Sequence, residues 1–402
     1  MLSVPWAGAL AKSPPNVLIV SLDTLRADAM TAMPTLRGLA ARGIDFTHAL
    51  SAAPWTVPSH AALFTGQHPL KLSCKSNELD IMRGVANVMT LLAAAGYEVS
   101  VTTEMGVMTE DEGYAEGATH FWTGDRGETI PALKQWRRHA PQEPWLLVAH
   151  TQGAHAPYAP VDIETPPRLA ELWPPGWTNH WPKIYWEVFR GQLTLTPVEA
   201  RWLRARYRAS AVQTDRELWR ILRLVEPWRE NTVVIVTSDH GEELGEYGRW
   251  VKHGHNLHDV LLRVPLVMAG PDVVPGEWSS IVSLLDVAPT VLDLAGVEAP
   301  AGLDGASLLP VLRGEVRRSR VVVSAGVQAN LGTERATHPN GRIVMSSSRC
   351  ASSIARDRAA RRAAGEKRGA AGGKGGAARK PRRPTQAPPP QPRPRASSAP
   401  AG

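Results

Sequence analysis

A threonine on a tight turn ahead of an apolar helix is the residue best placed for nucleophilic chemistry. In the stretch 53–66, Thr56 precedes Pro58, which fixes the backbone, and Ser59, a good helix cap before the apolar residues 61–64. A helix start presents unpaired N–H groups and the positive end of the helix dipole, so an anionic ester can bind there. The pattern predicts a hydroxyl nucleophile at an anion-binding turn; its alternative is a capped helix after a loop.

Two carboxylates and an imidazole follow two apolar runs that have the pattern of buried strands. Ligands of open α/β sheets bind at the carboxyl ends of the strands, where Asp23, Asp239 and His240 would then meet. With the Thr56 hydroxyl they form an oxygen-rich set with one imidazole, which suits Ca²⁺, Mn²⁺ or Mg²⁺, and Zn²⁺ also fits. Taken singly, Asp23 is more typical of an exposed turn acid and His240 of a capping histidine. The two runs are Asn16–Leu22 and Thr232–Thr237.

A bound cation would lower the pKa of the Thr56 hydroxyl and neutralise charge on the ester oxygens. His155, Lys252 and His253 are candidates for the leaving-group side, and we expect Lys252, His253 and His255 to contact the substrate. His255 is also a candidate for a second metal site. The alternative for each is an exposed loop residue.

The segment 56–66 has the spacing Cys/Ser-x-Pro-Ser-Arg-x-x-Leu-Leu-Thr-Gly and so resembles the signature of the sulfatase family of the alkaline phosphatase superfamily. Thr56 stands where family maturation converts Cys or Ser to formylglycine, and His60 stands where the family usually has Arg. The sequence therefore resembles the threonine-bearing branch of sulfatase-like hydrolases and of phosphoethanolamine or glycerophosphate transferases. No formylglycine is expected, and the match places His60 among the catalytic candidates.

Other segments support the resemblance, which runs from about Asn16 to Arg320. In the family the opening strand ends in Asp-Asp or Asp-Thr, and its first Asp ligates the metal, which implies this role for Asp23. Thr24 replaces the second carboxylate. His155 lies in a His-x-Pro-Tyr segment, and Lys252 matches a family lysine that contacts the anion.

The resemblance implies an α/β fold of the alkaline phosphatase/sulfatase type: a mostly parallel central sheet flanked by helices on both faces, with the usual small C-terminal subdomain missing or altered. The alternation of apolar strands and amphipathic helices agrees with it. Predicted strands are 16–22, 97–103, 145–150, 232–237 and 264–268, and predicted helices are 34–42, 89–95, 197–224 and a segment ending at Gly296.

Composition divides the 402-residue chain into an N-terminal extension (1–15), a catalytic domain (16–320), a transition (321–336) and a tail (337–402). The tail is rich in Ala, Arg, Gly and Pro, which predicts disorder. It holds 15 Lys and Arg against 2 acids; because the whole chain carries +7, residues 1–336 carry −6. Nucleic-acid binding by the core is therefore not predicted.

The leading hypothesis is a metal-dependent hydrolase of sulfate or phosphate (phosphonate) esters with Thr56 as nucleophile. Its alternatives are a transferase of the phosphoethanolamine or glycerophosphate type and a non-catalytic pseudoenzyme that retains the fold. The expected partner is a small anionic ester on a sugar or lipid headgroup. A tryptophan-rich stretch, 160–191, is either a lid over that group or a satellite core.

The chain has no apolar run of membrane-spanning length, and residues 1–12 lack the basic start of a signal peptide. The sequence thus favours a cytoplasmic location, or a periplasmic one if a leader is missing from the start.

Overall fold

Strands and helices alternate along the protein, as the sequence predicts. The computed structural model describes residues 14–72, 82–172, 183–315, 321–328, 331–337 and 343–347. Its strands are β1 Asn16–Leu22, β2 Ile44–Phe46, β3 Ala49–Leu50, β4 Glu98–Thr103, β5 His120–Thr123, β6 Trp145–Thr151, β7 Thr232–Thr237, β8 Glu243–Leu244, β9 Trp250–Lys252, β10 Arg263–Val264, β11 Leu266–Ala269, β12 Gly276–Trp278, β13 Val282–Ser283, β14 Val322–Gln328, β15 Leu331–Thr337 and β16 Ile343–Ser347. Its α-helices are α1 Pro34–Ala40, α2 Thr56–Thr65, α3 Val88–Ala94, α4 Thr129–Arg138, α5 Lys183–Phe189, α6 Pro197–Val225, α7 Asp259–Leu262, α8 Val287–Ala295 and α9 Leu309–Leu312.

The main sheet confirms the predicted fold class. Its strand order is β12-β2-β11-β7-β1-β6-β4-β5. From β7 to β5 every pairing is parallel, whereas β11 runs antiparallel to both β7 and β2. The predicted strand 264–268 is divided at Pro265, which has no N–H to donate; β10 pairs with β3 in a second sheet and β11 joins the main sheet.

Helices cover both faces of this sheet because successive side chains of β1 point to opposite sides. Val17 and Ile19 pack in one core, which includes apolar residues of α2, α3 and α8. Leu18 and Val20 pack in the other, with residues of α1, α4 and α6. None of the helices in the described ranges is both long enough and apolar enough to cross a membrane.

Helix α2 begins earlier than the sequence predicts. Ser59 was expected at the helix cap, but the helix starts at Thr56 and Trp55 is its cap residue. Pro58 fits in the first turn because its missing N–H would have no intrahelical partner there. The Ser59 hydroxyl instead donates to the Asp239 carbonyl oxygen at 2.7 Å, and it lies 2.8 Å from Ser51 Oγ. The Ser59 hydroxyl, which the local pattern predicts to cap the helix, is therefore used in a tertiary hydrogen bond.

A three-stranded antiparallel sheet, β14-β15-β16, occupies residues predicted to be a transition and the beginning of the tail. The predicted boundary at 337 lies inside this sheet, because short apolar runs such as Ile343–Met345 are hidden in a segment of polar and basic composition. The Ala325 N–H donates to Ala52 O at 2.8 Å, so β14 is attached to the loop that precedes Thr56. Residues 1–13 and the tail from 348 onward lie outside the described residues.

Helix α1 takes its N-terminal cap from a distant helix, which gives a test of the fold. Asp215 of α6 accepts hydrogen bonds from the Thr35 and Leu36 N–H groups at 2.9 and 3.0 Å. We expect Asp215→Ala to lower the free energy of unfolding by about 1–3 kcal/mol, because two backbone N–H groups, one buried and one partly buried, lose their acceptor. Denaturant titration measures the change. Asp162→Ala, at an exposed position, is the control and should change stability by less than about 0.5 kcal/mol; equal effects would contradict the capping role.

Candidate active site

Two aspartates lie together because their strands are adjacent and parallel. The register of β1 and β7 pairs Ser21 with Thr237, so Asp23 and Asp239, two residues beyond each, reach the same edge of the sheet. Both side chains are fully buried. Gly153 packs against the first of them: a Cβ at this position would lie 2.7 Å from the Asp23 nitrogen, so only glycine allows this approach.

The Asp239 carboxylate is fixed through one of its oxygens. Its Oδ1 accepts from the His240 N–H at 2.9 Å and from the Thr24 N–H at 3.2 Å. Thr24 supplies its N–H from a left-handed conformation, with φ at 56°. Oδ2 accepts no hydrogen bond from the described residues and lies 3.4 Å from His240 Nε2.

His240 joins the predicted ligand residues into one cluster, here called the primary site. Its Nε2 lies 3.6 Å from Asp23 Oδ1, 3.4 Å from Asp239 Oδ2 and 3.4 Å from Thr56 Oγ1. Its Nδ1 lies 2.9 Å from the Gly241 carbonyl oxygen and donates to it, which leaves Nε2 free of a proton. Asp23, Thr56, Asp239 and His240 therefore meet as the sequence predicts.

The donor atoms of the primary site fit a divalent cation. Both oxygens of Asp23 and Oδ2 of Asp239 are buried without a hydrogen-bond partner among the described residues. Unpaired buried carboxylate oxygens are costly unless a cation compensates them. One atom each from Asp23, Asp239 and His240 lie within 4.8 Å of one another, close enough to share one ion.

The pKa values of the two carboxylates are shifted in opposite directions. Burial, and next the charge of Asp239, raise the pKa of Asp23 well above its ordinary value. Burial also acts to raise the pKa of Asp239, but the imidazoles of His240 and His60 and the N–H bond from His240 outweigh it, so its pKa is lowered. Without a cation, Asp239 is the carboxylate that holds the negative charge.

His60 lies behind Thr56 and is fully buried. Its Nδ1 is 2.9 Å from the Thr56 carbonyl oxygen and its Nε2 is 2.9 Å from Ser21 Oγ. Burial lowers the pKa of His60, so the ring is neutral at neutral pH, unlike the arginine that the family usually has. The ring contacts the backbone of the candidate nucleophile and not the open side of the crevice.

His253 is held against the primary site by a buried glutamate that the sequence analysis missed. Glu242 Oε1 accepts from His253 Nδ1 at 2.9 Å, and Tyr158 donates to Glu242 Oε2 at 3.0 Å. Burial acts to lower the pKa of His253, but the Glu242 carboxylate outweighs it and raises that pKa. The His253 ring lies 4.5 Å from the ring of His240 and 5.3 Å from that of His155.

Lys252 and His255 lie farther out than the primary site. Lys252 Nζ is 4.6 Å from the centre of the Phe189 ring, and the His255 ring is 5.6 Å from it. Burial, and next Lys252, lower the pKa of His255 to about 4. In the described ranges His255 is not among the residues close enough to share an ion with Asp239, so the structure gives no support to its place in a second metal site.

Two further residues of this region had no sequence signal. His150, at the end of β6, is fully buried with its ring 4.7 Å from that of His60. Arg126 donates to the Gly153 and His155 carbonyl oxygens and so holds the loop that carries His155. Their order along the chain gives no indication of this proximity, since His150 lies in β6 and Arg126 lies in the connection between β5 and α4.

The doubly covered α/β sheet with this acidic crevice places the protein in the alkaline phosphatase superfamily. The sequence profile of the sulfatase family matches residues 15–297, well over half of the chain. The protein belongs to the sulfatase family and is a hydrolase of ester bonds.

Two curated relatives illustrate the similarity. The choline-sulfatase of Rhizobium meliloti is 26% identical over 386 residues, which cover 79% of this chain and 75% of the relative. The Delta 4,5-hexuronate-2-O-sulfatase of Bacteroides thetaiotaomicron is 26% identical over 370 residues, 79% of this chain and 76% of the relative.

Solved structures share the fold. A 2-O GAG sulfatase has a TM-score of 0.65 at 20% identity, with coverage of 89% of this chain and 92% of that one. The phosphonate monoester hydrolase of Silicibacter pomeroyi has a TM-score of 0.63 at 18% identity, covering 88% and 95%. The same architecture thus carries sulfatases and a phosphonate hydrolase.

The raised pKa of Asp23 predicts that this residue destabilises the cation-free protein. Because the folded pKa exceeds the unfolded one, the folded state binds more protons and stability falls as the pH rises above about 4. We expect Asp23→Asn, in chelator at pH 7, to raise the free energy of unfolding by at least about 1 kcal/mol, because a neutral amide then replaces a carboxylate that is costly to charge where it is buried. Chemical denaturation at several pH values measures this.

The matched control is Asp215→Asn, whose carboxylate accepts two backbone N–H groups and which should lose stability under the same conditions. A saturating divalent cation should reverse the order and make the wild type more stable than Asp23→Asn. A cation-free Asp23→Asn protein that is less stable than the wild type at every pH would contradict the electrostatic account.

Proposed function

We propose that the protein is a cation-dependent hydrolase in which Thr56 is the covalent nucleophile and phosphate or phosphonate esters are the preferred substrates. The single observation that carries the proposal is the place of Thr56. It is the first residue of α2, and its Oγ1 lies 3.4 Å from His240 Nε2, beside the unpartnered oxygens of Asp23 and Asp239.

Asp23, Asp239 and His240, with the Thr56 hydroxyl, would hold the cation. When bound, it would supply Lewis-acid stabilisation of the hydroxyl oxygen and of the ester oxygens. The N-terminus of α2 adds its free N–H groups and dipole on the same side, and helix packing in the core around Val57 and Phe64 keeps this start rigid.

The reaction needs two displacements. The Thr56 hydroxyl loses its proton to water, Oγ1 forms a bond to phosphorus, and the bond from phosphorus to the leaving oxygen breaks. That oxygen takes a proton from His253, whose pKa the Glu242 carboxylate raises and whose ring lies 5.3 Å from that of His155. Water then attacks the phosphothreonine, which releases phosphate or phosphonate and restores the hydroxyl.

The preference for phosphorus follows from the nucleophile. A formylglycine hydrate can eject sulfate by re-forming its carbonyl, and a threonine sulfate ester has no such exit. A phosphothreonine is open to attack by water, or by an alcohol in a transferase. The fold itself does not distinguish phosphorus esters from sulfate esters as substrates, because it occurs in both sulfatases and phosphonate hydrolases.

A second candidate function is hydrolysis of sulfate esters. Membership of the sulfatase family favours it, as do relatives whose names specify choline sulfate and a 2-O-sulfated hexuronate as substrates. In this case Thr56 would bind the cation without forming a covalent bond, and water would attack sulfur directly.

The leaving-group side is bordered by aromatic and basic side chains, which supports a substrate with a polar ring such as a sugar. Phe189 packs against Lys252, and Trp186, 39% exposed, lies with its ring 5.7 Å from that of Phe189. Trp186 belongs to the predicted tryptophan-rich stretch, whose Trp173, Trp177 and Trp181 fall outside the described residues. Arg190 and Lys252 make this border unfavourable for a cationic leaving group.

The nucleophile is tested by substitution of Thr56. We expect Thr56→Ala to lower turnover of phosphate esters by at least about 10³-fold, and Thr56→Ser to stay within about tenfold of the wild type. Chelation should abolish turnover, and added cation should restore it. Intact-mass and peptide analysis after quenching should find a phosphoryl adduct on the Thr56 peptide of the wild type and none in Thr56→Ala.

The matched control is Thr65→Ala, which removes a hydroxyl from the other end of α2 and should keep turnover. Aryl sulfate, phosphate monoester, phosphate diester and phosphonate substrates are compared in parallel. Sulfate hydrolysis that survives in Thr56→Ala, without an adduct from any ester, would favour the second candidate over the first.

The ring-binding border is tested separately by Trp186→Ala. We expect KM for a sugar phosphate to rise roughly 3- to 10-fold, because one stacked ring is lost, while KM for ethyl phosphate stays unchanged. Trp219→Ala, at an exposed position of α6, is the control. Equal changes for both substrates would rule out a stacking role.

A further inference from the structure

A second group of metal-binding side chains lies on the inner side of the primary site. His60, His150 and Asp239 each offer one ligand atom, and these atoms lie within 4.8 Å of one another. All three side chains are fully buried. We call this group the imidazole site. The hydrolytic chemistry proposed above uses neither His150 nor the side chain of His60 as a ligand.

The orientation of both imidazoles is that of metal ligands. His150 Nε2 is buried, has no hydrogen-bond partner among the described residues and lies 3.9 Å from Asp23 Oδ2, while its Nδ1 is 3.0 Å from Thr103 Oγ1. His60 Nδ1 lies 3.7 Å from Asp239 Oδ2, while its Nε2 is 2.9 Å from Ser21 Oγ. In each ring one nitrogen lies near a carboxylate and the other near a hydroxyl oxygen, and His60 Nδ1 also lies 2.9 Å from the Thr56 carbonyl oxygen. Metal-bound histidines are commonly held in this way.

The carboxylates connect the two sites. Asp23 directs Oδ1 towards His240 of the primary site and Oδ2 towards His150. Asp239 Oδ2 lies 3.4 Å from His240 Nε2 and 3.7 Å from His60 Nδ1, so it is within reach of both sites. A single ion at the primary site would leave His150 Nε2 unpartnered, at the cost of a buried polar atom without a bond.

We propose that the imidazole site binds a second divalent cation of the Zn²⁺ class, with Asp23 and Asp239 shared between this ion and the one at the primary site. His60, His150 and Asp239 each offer one ligand atom within 4.8 Å of the others, and Asp23 Oδ2 lies 3.9 Å from His150 Nε2. Imidazole nitrogens and carboxylate oxygens are ligands that tetrahedral Zn²⁺ accepts. His60 Nδ1, which donates to the Thr56 carbonyl oxygen at 2.9 Å in the cation-free state, gives up its proton on binding, and Nε2–H then donates to Ser21.

The second ion would determine whether the site prefers a dianionic or a monoanionic ester. Two divalent cations with two aspartates leave the crevice with a net positive charge, which a dianionic ester neutralises and a monoanionic ester does not. The inference rests on the cation-dependent function proposed above, because the two sites share carboxylates. It adds a reason for histidine at position 60, since arginine could not be a ligand there.

Metal content of the full-length protein tests the proposal. The protein is stripped with chelator, loaded with excess Zn²⁺, passed through a desalting column and measured by plasma mass spectrometry. We expect two ions in the wild type and one each in His150→Gln, His60→Gln and His240→Gln. His48→Gln, at an exposed position, is the matched control and should keep two. Circular dichroism of each variant checks the fold.

A second measurement detects the shared carboxylates directly. Mn²⁺ ions joined by shared carboxylates are magnetically coupled, so the wild type with two equivalents of Mn²⁺ should give a coupled electron paramagnetic resonance spectrum. His150→Gln should give the spectrum of isolated Mn²⁺. A wild type that holds one ion, lost in His240→Gln and kept in His150→Gln, with no coupled spectrum, would overturn the second site and leave the proposed function intact. A wild type that holds no ion would overturn both.

Discussion

The burial of two carboxylates at the ends of adjacent parallel strands is the constraint on which the rest of the structure depends. Asp23 and Asp239 are fully buried, and three of their four oxygens accept no hydrogen bond from the described residues. An arrangement of this kind lowers stability unless something compensates it. The surrounding elements fix one oxygen of Asp239 with backbone N–H groups and leave the other atoms directed at a common point. The primary site therefore lowers the stability of the cation-free protein.

Helix α2 is positioned by this same arrangement. The Ser59 hydroxyl donates to the Asp239 carbonyl oxygen, and the His60 ring contacts both Ser21 at the end of β1 and the Thr56 carbonyl oxygen. The first turn of the helix is thus bonded to both strands that carry the aspartates. Movement of α2 would disturb the carboxylates, and any shift of the strands would move the Thr56 hydroxyl. Nucleophile and ligands form one rigid unit.

Four histidines lie around the two buried carboxylates. On the inner side His60 and His150 face each other at 4.7 Å, and on the outer side His240 and His253 lie 4.5 Å apart. Burial lowers the pKa of His150 to about 3 and that of His240 to about 4, so these rings stay neutral and can act as ligands. Glu242 gives His253 the opposite character by raising its pKa. His150 and His240 are therefore neutral and can act as ligands, whereas His253, beside the Glu242 carboxylate, binds a proton more readily.

Local sequence patterns predict strands β1 and β7 to the residue and the long helix α6 to within one residue. They also predict the four residues of the primary site. These features depend on local pattern: continuous apolar runs, an acid directly after a strand, and a signature whose spacing is short. The rule that parallel strands end at one edge of the sheet then brings the residues together without further information.

The remaining features depend on contacts between residues that are far apart in the sequence, and they become visible with the tertiary structure. It moved the start of α2 from Ser59 to Thr56, because Asp239 takes the serine hydroxyl, and it formed strands across the predicted boundary at 337. It also brought His150 against His60 and Glu242 against His253. His60 and His150 belong to α2 and β6, which are far apart along the chain, so no local pattern encodes their contact. Glu242 and His253 lie 11 residues apart, on either side of the β8–β9 pair, and that pairing brings them together. Their contacts exist only once the strands are paired in register.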